Sequence, residues 1–432
     1  MADSLSQFQE NQNRVRLCPA LLHAKSRLPI GKRQTRFRRR RELLQRKSLQ
    51  GAVAMILLML LPLAAQGQDL SEDELQVTMN GYFDNFNVNI VYPSMSFTKR
   101  VSDSTTVNLR YLVDVISAAS MRSHFDVDGV SSATPKEDGG GDDVPDEMRQ
   151  EFGLGFTDLL KGGLIRGGSF SLNTIYSTEH DYTSFTLAGS FSYLMARKNT
   201  TLQLGVVRSW DTVAPQIRDW KRKKDVYTIS LGVTQILSPR LISQLNYSHN
   251  QSNGMLSDAY QVVQIAQNGD VTNYEPVHPD ARLRRALGLQ MNYKAGSATG
   301  FNFGLRYYWD DWDVKSLTAS VLWQRHLNPA MTVGLGLRHY RQSKAFFFKS
   351  EYLAPEQYMT VDTKLASGYS NDYQLTLTIR GGYWRLPVLA SEKTQLNLRV
   401  NFYHRHSSTP DWHSRLKDLF AYLVSLGVRY KF

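Results

Sequence analysis

The last eight residues, SLGVRYKF, limit the fold more than any other feature of this 432-residue chain. In a β-strand, residues two apart lie on the same face. One face then holds Tyr422, Val424, Leu426, Val428 and Tyr430, and the other holds Leu423, Ser425, Gly427, Arg429 and Lys431. A soluble β-sandwich rarely ends on an uncovered aromatic residue such as Phe432. The segment is therefore predicted to be a strand with lipid on one face and water on the other.

The spacing of four residues at this terminus resembles the assembly signal of bacterial outer-membrane β-barrels. A polar residue is followed by a glycine and then by two aromatic residues, in the order Ser425, Gly427, Tyr430, Phe432. The resemblance implies that the barrel-assembly machinery recognises the last strand and that the finished protein contacts outer-membrane lipid.

The polar composition argues against a bundle of membrane helices. The mean hydropathy is negative and 42% of residues are hydrophobic, which suits a barrel because its strands show lipid only at every second residue. The chain is also rich in aromatic residues, with 22 Tyr, 19 Phe and 7 Trp. Those near strand ends, among them Trp210, Trp309, Tyr340 and Tyr403, are predicted to form girdles at the two membrane interfaces.

The net charge of +12 comes mainly from the amino-terminal segment. Residues 1–47 hold 13 Lys or Arg and only 3 Asp or Glu, so the remainder is close to neutral. A neutral remainder removes the usual electrostatic argument for nucleic-acid binding. The single cysteine, Cys18, lies in the same segment. A mature chain that lacks this segment has no disulfide framework, thiolate nucleophile or Cys-ligated metal.

A basic region followed by an apolar run predicts a secretory signal over residues 1–67. Residues 14–47 are Arg-rich, and the apolar run covers Ala52–Ala65. A retained membrane anchor is the less favoured alternative, because the run is short and contains Pro62. The basic region is unusually long, so translation is expected to start downstream of Met1.

Alternating segments separated by turn residues fill residues 75–432, after a short leader at residues 68–74. In Gln395–Phe402, for example, every second residue is apolar. Seven short links alternate with eight mostly longer ones, of which Asn253–Leu283 and Lys344–Asn371 are the most extended inside the second half. Short turns on one side and longer loops on the other are the rule for outer-membrane barrels. The chain is therefore predicted to be an all-β, antiparallel, up-and-down transmembrane barrel of about sixteen strands, with both termini in the periplasm.

Seven stretches together resemble one bacterial family, the domain of unknown function 3570. They are VDVISAAS (Val113–Ser120), STEHDYTS (Ser177–Ser184), KNTTL (Lys198–Leu202), RSWDTVAP (Arg208–Pro215), TQILSPRL (Thr234–Leu241), RYYWDDWDVKSLT (Arg306–Thr318) and LRHYRQSKAFFF (Leu337–Phe348). The resemblance covers residues 75–432. It implies an outer-membrane protein without an established activity, whose relatives tend to accompany periplasmic flavin-attachment and thioredoxin-like redox proteins.

Charged residues on the water-facing side of the strands are the first candidates for function. Alternation predicts that Arg306, Arg338, Arg380, Arg399 and Arg429 point into the lumen, with Asp114 and Asp310 on the same face. A basic wall with scattered carboxylates fits anion selection or the binding of a plug. The plainer interpretation, favoured over a defined site, is a solvated lumen in which these charges pair with one another.

Acidic loops are the second candidates. Asp126 and Asp128 begin a Gly-rich loop with many carboxylates, and such oxygen ligands suit calcium. The twelve-residue calcium-loop pattern is absent, so a solvated loop is favoured and no cofactor is predicted. Asp310, Asp311 and Asp313 form a second cluster, which fits a sugar or cation site or a simple hairpin cap.

Enzymatic motifs are lacking, which favours two functions of different classes. No GxSxG, P-loop or HExxH motif stands in a suitable context, although a Ser-His hydrolase, as in some outer-membrane barrels, stays a minor alternative. The first hypothesis is a pore or transport channel for small polar solutes. The second is a closed scaffold or export conduit that docks a periplasmic or lipoprotein partner, in line with the redox relatives that the family resemblance implies.

Overall fold

The computed structural model describes residues 70–86, 88–117, 147–162, 166–215, 218–267, 269–384, 389–410 and 417–432. The strands in this part of the chain are β1 (Glu74–Asp84), β2 (Asn89–Arg100), β3 (Thr105–Ser117), β4 (Glu147–Leu160), β5 (Gly168–Thr178), β6 (Tyr182–Met195), β7 (Thr200–Val213), β8 (Arg222–Ser238), β9 (Leu241–Gly254), β10 (Val263–Gln267), β11 (Asp270–Tyr274), β12 (Ala281–Lys294), β13 (Thr299–Asp310), β14 (Lys315–Asn328), β15 (Met331–Gln342), β16 (Gly368–Arg380), β17 (Thr394–Ser407) and β18 (Asp418–Lys431). A 3-10 turn, Thr363–Leu365, lies between β15 and β16. No helix in the described ranges is long and apolar enough to cross a membrane.

Sixteen of these strands form one closed antiparallel barrel, which confirms the predicted fold class. Neighbours in the barrel are neighbours in sequence, except that β9 pairs with β12 because β10 and β11 form a separate hairpin. The barrel closes where β1 pairs with β18, from Glu74 opposite Lys431 to Asp84 opposite Ala421. Closure leaves no unpaired strand edge, as a sheet in lipid requires.

The two ends of the barrel differ in their connections. Both termini and the short links lie at one end, which we call the turn end. The other end, called the loop end, carries the long connections from β9 to β12 and from β15 to β16. The predicted link positions agree with the observed ones along the described chain. Which end faces the periplasm stays a prediction.

The barrel reverses the usual distribution of polar and apolar residues. Leu375 is 45% exposed on the outer face, while its neighbours Gln374 and Thr376 lie on the inner face. The same alternation runs along β15, where Leu335 is 53% exposed and Gly334 and Gly336 face inward. A continuous apolar outer surface with a polar interior is the arrangement of an outer-membrane-type barrel.

The predicted aromatic girdles need one correction. Trp210, at 40% exposure, lies on the outer face as predicted. Tyr340 and Tyr403 instead face the lumen, because they share their strand faces with the inward-pointing Arg338 and Arg405 and line a cavity at the loop end. Proximity to a strand end was the wrong criterion for these two residues, since the face is fixed by register.

The conventional hydrophobic core lies in the loops. Residues 255–280 and 343–367, together called the loop cap, form two buried clusters, one of which also includes Trp312 and Val314 from the β13–β14 turn. The clusters are Trp312, Val314, Ala345, Phe347, Phe348, Leu365 and Ala366, and Val263, Ile265, Tyr352, Met359 and Val361. An isolated bridge from Val277 to Met359 joins the two segments of the cap, and a second bridge, from Phe348 to Thr360, lies within the later segment. The sequence patterns treated both segments as plain links and missed the β10–β11 hairpin.

Candidate functional site

A cavity of about 440 Å³ lies in the lumen wall between β7 and β15, and it brings together two of the predicted lumen arginines. Arg306 on β13 and Arg338 on β15 both line it. The other inward-facing lining residues are small or carry amides, and they are Gln203, Ser230, Gly232, Asn246, Ser248, Ala286, Gly288, Gln290, Gly304, Thr318 and Ser320. The wall thus combines neutral hydrogen-bonding groups with two guanidinium groups.

Small inward-facing residues make room for this cavity. A Cβ atom added at Gly304 would lie 2.5 Å from the Ser320 hydroxyl, and one added at Gly232 would lie 2.9 Å from the Asn246 side-chain oxygen. Both contacts are shorter than van der Waals distance. The glycines therefore let neighbouring polar side chains approach across the strands, while the long arginine side chains extend beyond them toward the lumen.

The arginines in the middle of the wall lack acidic partners. Among the described residues, no carboxylate oxygen lies within 4.0 Å of the guanidinium groups of Arg306, Arg338 or Arg399. Arg306 does contact an aromatic ring, with its guanidinium 5.6 Å from the centre of Tyr308. Asp372 stands opposite Arg338 across β15 and β16, where it accepts a hydrogen bond from Asn401, but it forms no ion pair with Arg338. The three guanidinium groups therefore face water and mobile anions in the lumen.

The two predicted lumen carboxylates are neutralised by arginines that sequence reasoning missed. Asp114 pairs with Arg149 at 2.5 Å, and Asp310 pairs with Arg282 at the same distance. Alternation extended to β4 and β12 would have placed both arginines on the inner face. Asp310 also accepts a hydrogen bond from the Tyr308 hydroxyl and is fully buried, so it is a structural residue.

Asp310 also organises the β13–β14 turn. Its second oxygen accepts hydrogen bonds from the backbone N–H groups of Trp312, at 3.0 Å, and Val314, at 2.9 Å. The neighbouring Asp311 accepts from the backbone N–H of Leu283. The structure thus uses the acidic cluster at this turn as a hairpin cap, which was one of the two interpretations of the sequence pattern. Asp313 adopts a left-handed backbone with a φ of 62°.

The remaining predicted lumen arginines lie at the turn end. Arg380 is the last residue of β16, and Arg429 is close to the end of β18. The Arg429 Nε atom lies 3.6 Å from a carboxylate oxygen of Glu74 on the adjoining β1. These two residues therefore mark the opposite end of the lumen from the loop cap and lie apart from the Arg306–Arg338 cavity.

The four residues of the predicted assembly signal divide between the two faces of β18. Ser425 and Gly427 face inward, where an added Cβ at Gly427 would lie 3.3 Å from the Thr78 hydroxyl. Tyr430 and Phe432 face outward and are 40% and 46% exposed. The Phe432 ring stacks at 5.8 Å on Phe97 of β2. The aromatic pair is thus displayed on the outer surface beside the barrel seam.

The loop cap is joined to the lumen wall at one side of the loop end. The side-chain amide of Gln342 donates to the backbone carbonyls of Lys364 and Ala366, and Arg405 donates to the Thr363 hydroxyl. Gln342 and Arg405 both face inward on their strands. The 3-10 turn of the cap is therefore held against the inner surface of the barrel mouth.

The other side of the cap reaches distant connections. Arg218, between β7 and β8, donates to the backbone carbonyls of Ala259 and Gln261. The Tyr260 hydroxyl donates to Asp181, between β5 and β6. With the Arg405 contact, the cap touches parts of the rim from β5 round to β17, more than half of the barrel circumference.

His278 lies inside the cap between two aromatic rings. Its ring is 5.3 Å from Trp312 and 5.2 Å from Phe347, and Nδ1 lies 3.1 Å from the Leu256 carbonyl oxygen, to which it donates. Burial lowers the pKa of His278 to about 4, assisted by the charge of Arg282. The imidazole is therefore neutral when the cap is closed. Burial has the opposite effect on Asp362, whose pKa it raises.

Asp126 and Asp128, the loop carboxylates considered as calcium ligands, lie outside the described residues. Within the described ranges, no group of three or more His, Asp, Glu or Cys side chains is arranged to hold a metal ion.

The comparisons with known proteins place the chain by family and fold. The model of a family described as "Protein of unknown function (DUF3570)" matches residues 51–420. No curated protein has a significantly similar sequence. The barrel is similar to a structure described as a bacterial polysaccharide outer membrane secretin, with 7% identity and a TM-score of 0.49 over 84% of this chain and 98% of that one.

Two Pseudomonas aeruginosa structures show a similar degree of likeness. One is OpdK with vanillate, with 11% identity and a TM-score of 0.40 over 84% of this chain and 98% of that one. The other is a variant of the ferric enterobactin receptor PfeA, with 8% identity and a TM-score of 0.41 over 79% of this chain and 54% of that one. The chain thus spans about half of the receptor. At such low sequence identities, the similarity shows the fold alone and gives no information on what this chain binds.

Proposed function

Because the chain belongs to the DUF3570 family, whose description gives no activity, we propose its function from its own barrel. The protein acts as a water-filled pore of the bacterial outer membrane for small polar solutes, with a mild preference for anions. Both termini and the turn end lie in the periplasm, and the loop cap lies at the cell surface. The short turns at one end and the long loops at the other support this orientation.

The observation that carries the proposal is the Arg306–Arg338 cavity. A cavity of 440 Å³ corresponds to a sphere with a radius of about 5 Å, which is shorter than the screening length of roughly 10 Å at 0.1 M salt. An anion in this space therefore feels both guanidinium charges. Asp372 stands opposite Arg338 but does not line the cavity, so the two guanidinium charges outweigh this one carboxylate and the cavity favours anions over cations.

Reversal potentials in planar bilayers test this function. The wild-type pore is expected to prefer anions at 0.1 M salt and to lose much of the preference at 1 M, where screening shortens to about 3 Å. The double substitution Arg306→Gln and Arg338→Gln should remove most of the preference. Arg325→Gln is the matched control, because it removes the same charge from the outer face. Cation preference in the wild type, or no effect of the double substitution, would refute the proposal.

The loop cap supports a second candidate, a closed scaffold that docks a periplasmic or lipoprotein partner. The cap spans more than half of the rim and is held to the inner wall through Gln342 and Arg405. A mouth held shut in this way would leave the barrel free to serve as an anchor. Absence of conductance, together with a stoichiometric partner recovered by cross-linking, would favour the scaffold, while stable conductance of the isolated protein would favour the pore. Neither candidate includes an enzymatic step.

A further inference from the structure

A group of basic and aromatic side chains lies on the outer face of the barrel at the loop end. We call His339, Arg341, Tyr369, His404 and His406 the outer basic cluster. Arg341, Tyr369 and His406 stand opposite one another across β15, β16 and β17. Because all five have the strand position of the outward-facing residues, they project from the barrel surface and not into the lumen.

Close ring contacts and one shared carboxylate fix the cluster. Tyr369 stacks on His406 with ring centres 5.3 Å apart and lies 6.0 Å from His404. Asp418 on β18 accepts from both histidines, at 3.0 Å from His404 Nε2 and 2.8 Å from His406 Nδ1. Among the described residues, the second nitrogen of each ring has no hydrogen-bond partner. Because a carboxylate oxygen accepts, each histidine donates one N–H to Asp418 and keeps its other ring nitrogen for an external partner.

The cluster lies directly above the apolar band. One step nearer the turn end, the outward-facing residues Leu337, Tyr373 and Phe402 stand opposite one another on the same three strands. Leu337 is 44% exposed and Tyr373 is 51% exposed. Aromatic residues at this level mark the interface between hydrocarbon and headgroups. The basic side chains are thus at the height of the lipid headgroups.

Further cations extend the cluster along the outer surface. Arg285 on β12 and Lys315 on β14 both stand opposite Trp309, which projects outward between them. Asp418 is the only carboxylate among the outward-facing residues of β12 to β18 in the described chain. The outer surface on this side of the barrel is therefore positively charged at the headgroup level.

We propose that the outer basic cluster binds the phosphate groups of an anionic glycolipid in the outer leaflet. Arg341 and Lys315 supply charge, the histidines supply hydrogen bonds, and the fatty chains of the lipid lie against Leu337 and Tyr373. A lipid carries a charged headgroup next to apolar chains, which is the arrangement of these two bands on the barrel surface. A soluble anion would use only the charged band. The inference rests on the proposed orientation, in which the loop end faces outward.

Binding of lipid A to the purified full-length protein in detergent micelles, followed by native mass spectrometry, tests the proposal. We expect diphosphoryl lipid A to bind and dephosphorylated lipid A to bind about tenfold more weakly, as expected when charge-assisted hydrogen bonds are lost. Arg341→Gln should weaken the binding of diphosphoryl lipid A, and the triple substitution that adds His404→Gln and His406→Gln should weaken it further. Equal binding of both lipids, or unchanged binding by Arg341→Gln, would overturn the proposal.

Two controls separate this proposal from the others. Arg325→Gln removes an outward-facing arginine at the turn end of β14 and should leave lipid A binding unchanged, so an equal loss in this variant would also refute the site. Arg341→Gln alone keeps the test valid if the triple variant does not fold. Labelling of Lys349→Cys on whole cells with an impermeant maleimide tests the orientation. Binding in micelles requires neither this orientation nor an open pore. The lipid A measurement, the labelling measurement and the conductance measurement can therefore each fail without affecting the other two.

Discussion

The buried imidazole of His278 predicts that acid loosens the loop cap. The closed cap holds the pKa of His278 at about 4, against an ordinary value of 6.5. When the cap opens, the ring reaches water and regains its ordinary pKa, so the open state binds the proton more tightly. Acidification therefore favours the open cap as the pH falls below about 6.5, and the effect becomes constant below pH 4.

The size of the effect follows from these two pKa values. Between pH 7 and pH 5, the free energy of opening the cap should fall by about 1.8 kcal/mol, or roughly 20-fold in the opening equilibrium. Asp362 acts in the opposite direction, because its raised pKa makes the closed cap the stronger proton binder. The contribution of His278 therefore has to be isolated with a variant that keeps Asp362.

Amide hydrogen exchange of wild type and His278→Gln measures the difference. The glutamine amide can still donate to the Leu256 carbonyl but does not titrate, and intrinsic exchange rates cancel when the two proteins are compared at one pH. In peptides covering residues 275–280 and 345–348, the ratio of wild-type to variant exchange rates should rise roughly 20-fold from pH 7 to pH 5. A ratio that does not change with pH would refute the reasoning.

Three further predictions concern assembly, stability and conductance. Replacing Tyr430 and Phe432 together by Ala should leave export intact but impair membrane insertion, because the last strand loses its exposed aromatic pair, and normal surface exposure of this double variant would contradict the assembly signal. Asp310→Asn should destabilise the barrel by about 3 kcal/mol in urea unfolding, since Arg282 then keeps a partly buried unpaired charge; the nearby Asp313→Asn is the control, because Asn tolerates the left-handed conformation. Deleting residues 263–274 should increase single-channel conductance if the cap constricts the mouth, and unchanged conductance would show that the hairpin lies outside the ion path.

Long-range features of the fold were predictable because alternation is a local property. The side chains of Leu375 and Thr376 point to opposite faces of the sheet whatever the position of their strand in the barrel. The apolar and polar faces can therefore be predicted from the sequence. Link lengths then fix the order of strands, since an antiparallel strand joined by a short turn can only pair with its neighbour. About sixteen strands follow from these two rules, and the pairing of β1 with β18 follows from closure of the barrel, which leaves no unpaired edge.

The ion pairs of the lumen residues could not be predicted, because they depend on contacts between strands in the tertiary structure. Asp114 and Asp310 were placed on the correct face from the sequence, but only the register across neighbouring strands shows that Arg149 and Arg282 neutralise them. The same register places Asp372 opposite Arg338, but only the three-dimensional arrangement shows that Arg306 and Arg338 line one cavity. Alternation predicts which face of the sheet a residue lies on. Its ion-pair partner depends on the register, which determines the residues of neighbouring strands that lie beside it.

The loop cap shows the limit of sequence patterns most clearly. Its buried residues, such as Ile265 and Tyr352, come from two loops about ninety positions apart in the chain, and the short alternation of Val263 and Ile265 on β10 does not show which segment covers them. They pack together because the barrel brings the ends of β9 and β15 to the same rim, where apolar side chains can leave water only by covering one another. The sequence alone therefore determined a membrane barrel with a basic lumen face, and the closed geometry of that barrel decided which loops meet above it.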